Sequence, residues 1–135
     1  MSDSTIGDDE VLYRRIPPGN DWLEPPDRIS SLNFKRRRDE RGLSVYRASV
    51  VSAQQVLDKP GALAGSRVAQ ATAGQIRGAR DAQGDPLGLD VIPVDDENDP
   101  GHAEIRGATL IQRRTIAARA LKELFRLSQP STDET

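Results

Sequence analysis

The run TLIQRRTIAARALKELFRL, residues 109–127, constrains the fold more than any other stretch of this chain. Leu110, Ile116, Ala117, Ala120, Leu121, Leu124, Phe125 and Leu127 recur at helical spacing, and Thr109 stands where a cap belongs. The pattern predicts one amphipathic helix over 110–127 that stops before Pro130. Such a helix needs an apolar floor. It is expected to lie across a sheet, apolar face down, with Arg113, Arg114, Arg119, Lys122 and Arg126 outward.

The remaining chain supplies the strands. VLYRRI, residues 11–16, alternates and is halted by Pro17 and Pro18. PPGNDWLEPPDR reads as a turn-rich loop with Trp22 tucked in as an anchor. In GLSVYRASVV, Leu43 and Val45 face one way while Ser44 and Tyr46 face the other. Further strands are expected at 67–71, in LDVIPV as an edge strand because of Pro93, and in HAEIRG. Ser52 with Gln55 forms a capping-box pattern opening a short helix to about Lys59, where Pro60 and Gly61 end it. Thr72 opens a second short helix to about Gly78. The Ser30-Ser31 turn is expected to hold its backbone through side-chain hydrogen bonds.

The expected architecture is therefore α+β. A four- or five-stranded mixed or antiparallel sheet carries the C-terminal helix and one or two short helices. One domain spans 11–127, between polar tails at 1–10 and 128–135. With no cysteine, the chain has no disulfide, thiolate nucleophile or cysteine-based zinc site. No apolar run approaches the roughly 20 residues that span a bilayer, and the N-terminus lacks a signal-peptide pattern. A cytoplasmic protein is the expectation, without membrane, metal or cofactor.

Charge is near balance overall, at −2, but is unevenly placed. Residues 28–41 carry six basic side chains against two acidic, residues 90–99 carry five acidic and none basic, and residues 110–127 carry five basic against one acidic. Lys35, Arg36, Arg37, Arg38 and Arg41, with Arg113 and Arg114, form the expected contact surface. Phosphate would suit it, but only Phe34 stands beside the cluster to stack a base. His102, the single histidine, has Asp99 and Glu104 as sequence neighbours and reads either as a general base or as a strand-start histidine bonded to a loop. Phosphate-loop and G-x-S-x-G patterns are absent, so nucleophilic hydrolysis has no support from the sequence.

Several motifs together resemble a bacterial family of small proteins of uncharacterised function. They are YRRI at 13–16, SSLNF at 30–34, GLSV at 42–45, PGHAEIRG at 100–107 and RRTIAARAL at 113–121. Members carry His where this chain has Pro17 and an acidic residue where it has Tyr46. The resemblance implies a shape spanning about 11–127 and no chemistry. Separately, the order of Arg14 or Arg15, Ser31 and Glu104 resembles that of ADP-ribosyltransferase folds. That resemblance implies that Arg and Ser hold a dinucleotide while Glu orients the attacked ribose. His102 stands where those folds place an acidic residue or Gln.

The function expected from these features is non-enzymatic: an accessory protein that binds a protein partner through the basic loop and helix face. Sequence-independent nucleic-acid binding through the same surface is the first alternative. An ADP-ribosyltransferase-like enzyme using Arg14, Arg15, Ser31, His102 and Glu104 is the second.

Overall fold

The computed structural model describes residues 6–19, 21–24, 28–35, 42–94 and 96–127. In chain order the strands are β1 (Val11–Ile16), β2 (Leu23–Glu24), β3 (Arg28–Ile29), β4 (Leu43–Arg47), β5 (Arg67–Thr72), β6 (Asp90–Pro93), β7 (His102–Arg106) and β8 (Arg126–Leu127). The helices are α1 (Ala53–Leu57), α2 (Ala73–Arg77), α3 (Ala108–Gln112) and α4 (Arg114–Leu124), with a 3-10 turn over Ser31–Phe34. Six strands form one antiparallel sheet in the order β6-β7-β4-β1-β5-β8, while β2 and β3 make a separate hairpin. The architecture is α+β; the main sheet has one strand more than the upper expectation of five, and the stretch expected to be only a loop around Trp22 carries the two short strands of the separate hairpin.

The extra strand comes from the predicted long helix, which the fold divides. Arg113 leaves helical geometry at φ −132° and ψ 56°, its side chain reaching Asp81 at 3.2 Å. Leu110 before the break and Ala117, Ala118 and Leu121 after it are all buried. Two short helices thus seat two apolar faces where one straight helix would have to seat both along one line. At the other end Phe125 turns extended, at φ −81° and ψ 137°, to lie 4.8 Å from the ring of Phe34. The next two residues then pair with β5 as β8.

Local signals hold where they are self-contained. Ser52 with Gln55 and Thr72 with Gln75 both close complete capping boxes. Ser30 Oγ accepts a hydrogen bond from the Leu32 N–H at 3.1 Å and so opens the 3-10 turn. Pro93 ends β6 at the sheet edge, where its missing N–H costs no ladder bond. Trp22 packs half-buried against the core, as its loop position predicts. The packed region begins earlier than Val11: Ile6 is 1% exposed within the main core.

The two sheet faces differ. One carries Leu12, Ile16, Leu43, Val45, Ala69, Ala71, Ala103 and Ile105 beneath the helices α2 to α4 and the 3-10 turn, as the main core. Among the described residues the other face buries the smaller cluster of Val51, Val56 and Val68, with Tyr13, Tyr46 and α1 packed against them. Ser44, His102, Glu104 and Arg106 project from that second face, by strand alternation with their buried neighbours.

Candidate functional site

The sheet opens at its centre. β1 pairs with β5 over six residues but with β4 over only two, Leu12 with Arg47 and Tyr13 with Tyr46. Beyond Tyr13 the two strands part, and the Arg14 side chain fills the gap. Its Nε donates to the Asn33 carbonyl at 2.8 Å and its Nη1 to the Ser44 carbonyl at 2.6 Å, with the guanidinium 5.8 Å from the centre of the Phe34 ring. A backbone acceptor that the ladder would have used is satisfied by a side chain.

Continuing the observed register would set Arg15 opposite Ser44. Ser44 is directly paired with Glu104 on β7. Arg15, Ser44 and Glu104 therefore form one row across three strands, on the same face and interrupted by the gap. The adjacent row runs from Tyr13 through Tyr46 to His102.

Arg15, Ser44 and Tyr46 of these rows, but not Tyr13, His102 or Glu104, line a cleft of about 910 Å³ whose cations are Arg14, Arg15, Lys35 and Lys59. Ser44, Tyr46 and Asp99 supply its polar side, and Trp22, Leu32 and Leu63 its apolar side. The polar side is tied together. Ser44 Oγ lies 3.0 Å from His102 Nε2. Tyr46 Oη donates to Asp99 Oδ2 at 2.9 Å, and Lys59 Nζ donates to Asp99 Oδ1 at 2.6 Å while sitting 4.6 Å from the Tyr46 ring centre. Asp99 Oδ2 is also 3.9 Å from His102 Nδ1. Burial pushes the Asp99 carboxyl up, but the Lys59 and Tyr46 hydrogen bonds outweigh it and hold the group below its usual range. Burial, then the contact with Asp99, pushes the Tyr46 phenol above its ordinary value. Gly101, at φ +81°, makes the turn that returns the acidic segment into β7 and sets Asp99 beside His102.

The residues expected from the sequence are thus distributed in three places. Arg15, His102 and Glu104 share the open face, and Arg14 lies in the gap beside them. Ser31 opens the 3-10 turn, whose Phe34 packs on the α4 side of the sheet, and it does not line the cleft. Glu104 accepts hydrogen bonds from Arg106 at 2.7 and 2.8 Å. Within the expected basic surface, Lys35 lines the cleft while Arg113 is paired with Asp81. Arg113 and Arg114 stand at the N-terminal end of α4, whereas Phe34, the neighbour of Lys35, packs on Phe125 just past its C-terminal end. Arg36, Arg37, Arg38 and Arg41 lie outside the described residues. Among the described residues no helix is long and apolar enough to cross a membrane.

Sequence reasoning set Asp99 beside His102 but did not single out Ser44, Tyr46 or Lys59 as site residues. The alternation in β4 puts Ser44 and Tyr46 opposite the core-facing residues, which is the one signal that bears on them. No family model, no curated protein and no solved structure matches the chain.

Proposed function

We propose that the cleft binds a dinucleotide such as NAD+ and supports an ADP-ribosyltransferase-like reaction. The row of Arg15, Ser44 and Glu104 across the opened β1–β4 gap carries this reading. It keeps the Arg, Ser, Glu order on successive sheet neighbours, with Ser44 in the place the sequence alone gave to Ser31. Arg15, Lys35 and Lys59 offer charge to a pyrophosphate, and Trp22 offers a ring face to a base. Glu104, paired with Ser44 on β7 but outside the residues that line the cleft, would have to turn from Arg106 to set negative charge near a ribose carbon that becomes cationic as its bond to nicotinamide breaks. The electron pair of that bond leaves with nicotinamide. The ribose carbon takes a pair from the attacking nucleophile, whose proton passes to solvent. Calorimetric titration with NAD+ is expected to give saturable binding, weakened about tenfold by Arg15→Ala, the scale of one charge-assisted hydrogen bond. Nicotinamide release is expected to fall at least tenfold in Glu104→Gln. Heat that never saturates at millimolar NAD+ overturns the reading.

A second reading is the accessory protein that works through a partner. Its support is the exposure of Ile111 (53%) and Ile116 (37%) on the helices that carry the basic residues, a combination suited to a protein surface. Reversing charge at Arg36, Arg37 and Arg38 is expected to leave the melting temperature unchanged and to weaken a stoichiometric complex recovered by native co-purification. An unaltered complex rejects this surface, and co-purifying nucleic acid lost as salt rises points to phosphate contacts instead.

A further inference from the structure

We infer that Ser44, His102 and Asp99 form a nucleophilic Ser–His–Asp set whose substrate is an ester or thioester bearing an anionic group. His102 and Asp99 are brought together by the local turn before β7, and the tertiary fold brings Ser44 of β4 to them. Ser44 Oγ is 3.0 Å from His102 Nε2, within reach for proton transfer. His102 Nδ1 faces Asp99 Oδ2 at 3.9 Å. That is an ion-pair distance, about 1 Å beyond a hydrogen bond, and such contacts tighten when substrate seats. Lys59, on Oδ1, and Tyr46, on the same Oδ2 that faces His102, fix the orientation of the carboxylate. Asp99 favours the tautomer with a proton on Nδ1, which leaves Nε2 free to accept the Ser44 proton. Ser44 opens onto the cleft, whose lining cations Arg15, Lys35 and Lys59 favour an anionic substrate.

The step balances without an oxidant or reductant. The Ser44 Oγ–H proton passes to His102 Nε2 as Oγ bonds to the acyl carbon. The carbon–oxygen or carbon–sulfur bond to the leaving group then breaks, and the leaving group takes the proton from His102. Water, deprotonated by His102 Nε2, attacks the acyl carbon; the bond from that carbon to Ser44 Oγ breaks, His102 returns the proton to Oγ, and the acyl group leaves as a carboxylic acid. Asp99 does not touch the substrate and acts as a positioning residue.

The test uses the full chain and a fluorophosphonate probe, in which Ser Oγ bonds to phosphorus and fluoride leaves. Peptide mass spectrometry is expected to place the adduct on Ser44, at least tenfold faster than on any other serine. Ser44→Ala abolishes it and Ser66→Ala does not. His102→Gln slows it about a hundredfold or more, the usual contribution of a general base. Asp99→Asn slows it and changes the pH profile of labelling, which a purely structural loss would leave in shape. Circular dichroism confirms that each variant is folded. Labelling spread over exposed serines, or a Ser44 adduct whose rate ignores His102→Gln, overturns the inference. The probe contains no nucleotide, so this result is independent of NAD+ binding, and the dinucleotide reading can fail or stand alone.

Discussion

Phe34→Ala is expected to cost about 3–5 kcal/mol, as large a loss as any single truncation in this domain. Phe34 is fully buried and sits where three elements meet. It ends the 3-10 turn, stacks 4.8 Å from Phe125 where the chain leaves α4, and lies beneath the Arg14 guanidinium. Truncation leaves a cavity that the β-sheet below cannot collapse into, because Leu43 and Val45 are held by their strand. A domain of this size is stable by about 5–15 kcal/mol, so the loss is a third or more of the total. Urea denaturation should show a lower midpoint with an unchanged slope. A loss under 1 kcal/mol would mean that the turn and α4 are not packed as described. Phe34→Leu, which keeps most of the volume, should recover much of the stability.

The parts of this fold that were legible in the sequence are those decided by a few consecutive residues. VLYRRI forms a strand because its alternation is complete and prolines close it. SAQQ and TAGQ open helices because the cap and its reciprocal partner are three residues apart. The C-terminal helix was legible in existence but not in extent. Its period continues through Arg113 and Phe125, and only contacts with Asp81 and Phe34 show why the backbone departs at those two points. The same applies to β8, whose two residues have no strand signal of their own and pair because β5 presents an edge. Ile6 was hidden for the same reason: one isoleucine in a polar segment gives no period, and its burial depends on the surface beside it.

The candidate site was less legible, since its central contacts join distant residues. Ser44 and His102 are 58 positions apart, and Tyr46 and Asp99 are 53 apart. The sequence contains His102, Asp99 and Glu104 as neighbours but says nothing of the serine that faces them. Ser31 stood out because it sits in a dense basic stretch with a motif of its own. Ser44 sat inside an ordinary strand pattern, where a polar outward residue is what alternation predicts anyway. What distinguishes it is the shortened β1–β4 ladder, and a register cannot be read from one strand alone.

Arg14→Met is expected to cost about 3 kcal/mol and to close or disorder the cleft. Methionine keeps most of the side-chain length and can still touch Phe34, so lost packing is a minor part of the effect. The guanidinium is the difference. It donates to the carbonyls of Asn33 and Ser44, tying the 3-10 turn and β4 to β1 across the place where the sheet has no ladder. Each hydrogen bond to a charged donor contributes roughly 1.5–3 kcal/mol, and partial access of water to a freed carbonyl lowers the sum. The strands then have two outcomes. They can zip, setting Arg15 against Ser44 in register and filling the gap from which the cleft opens, or they can separate further. Hydrogen exchange distinguishes these: protection of the Val45 and Ser44 region rises if the strands zip and falls if they part. In both cases the geometry of the cleft and of Ser44 is expected to change, and with it the anion binding proposed above. Arg14→Lys is the informative companion. It keeps the charge but has no fork to span two carbonyls, and it should recover less than half of the stability. Full recovery by lysine would mean that charge in the gap, not the bridge between the 3-10 turn and β4, holds the two halves of the sheet in place.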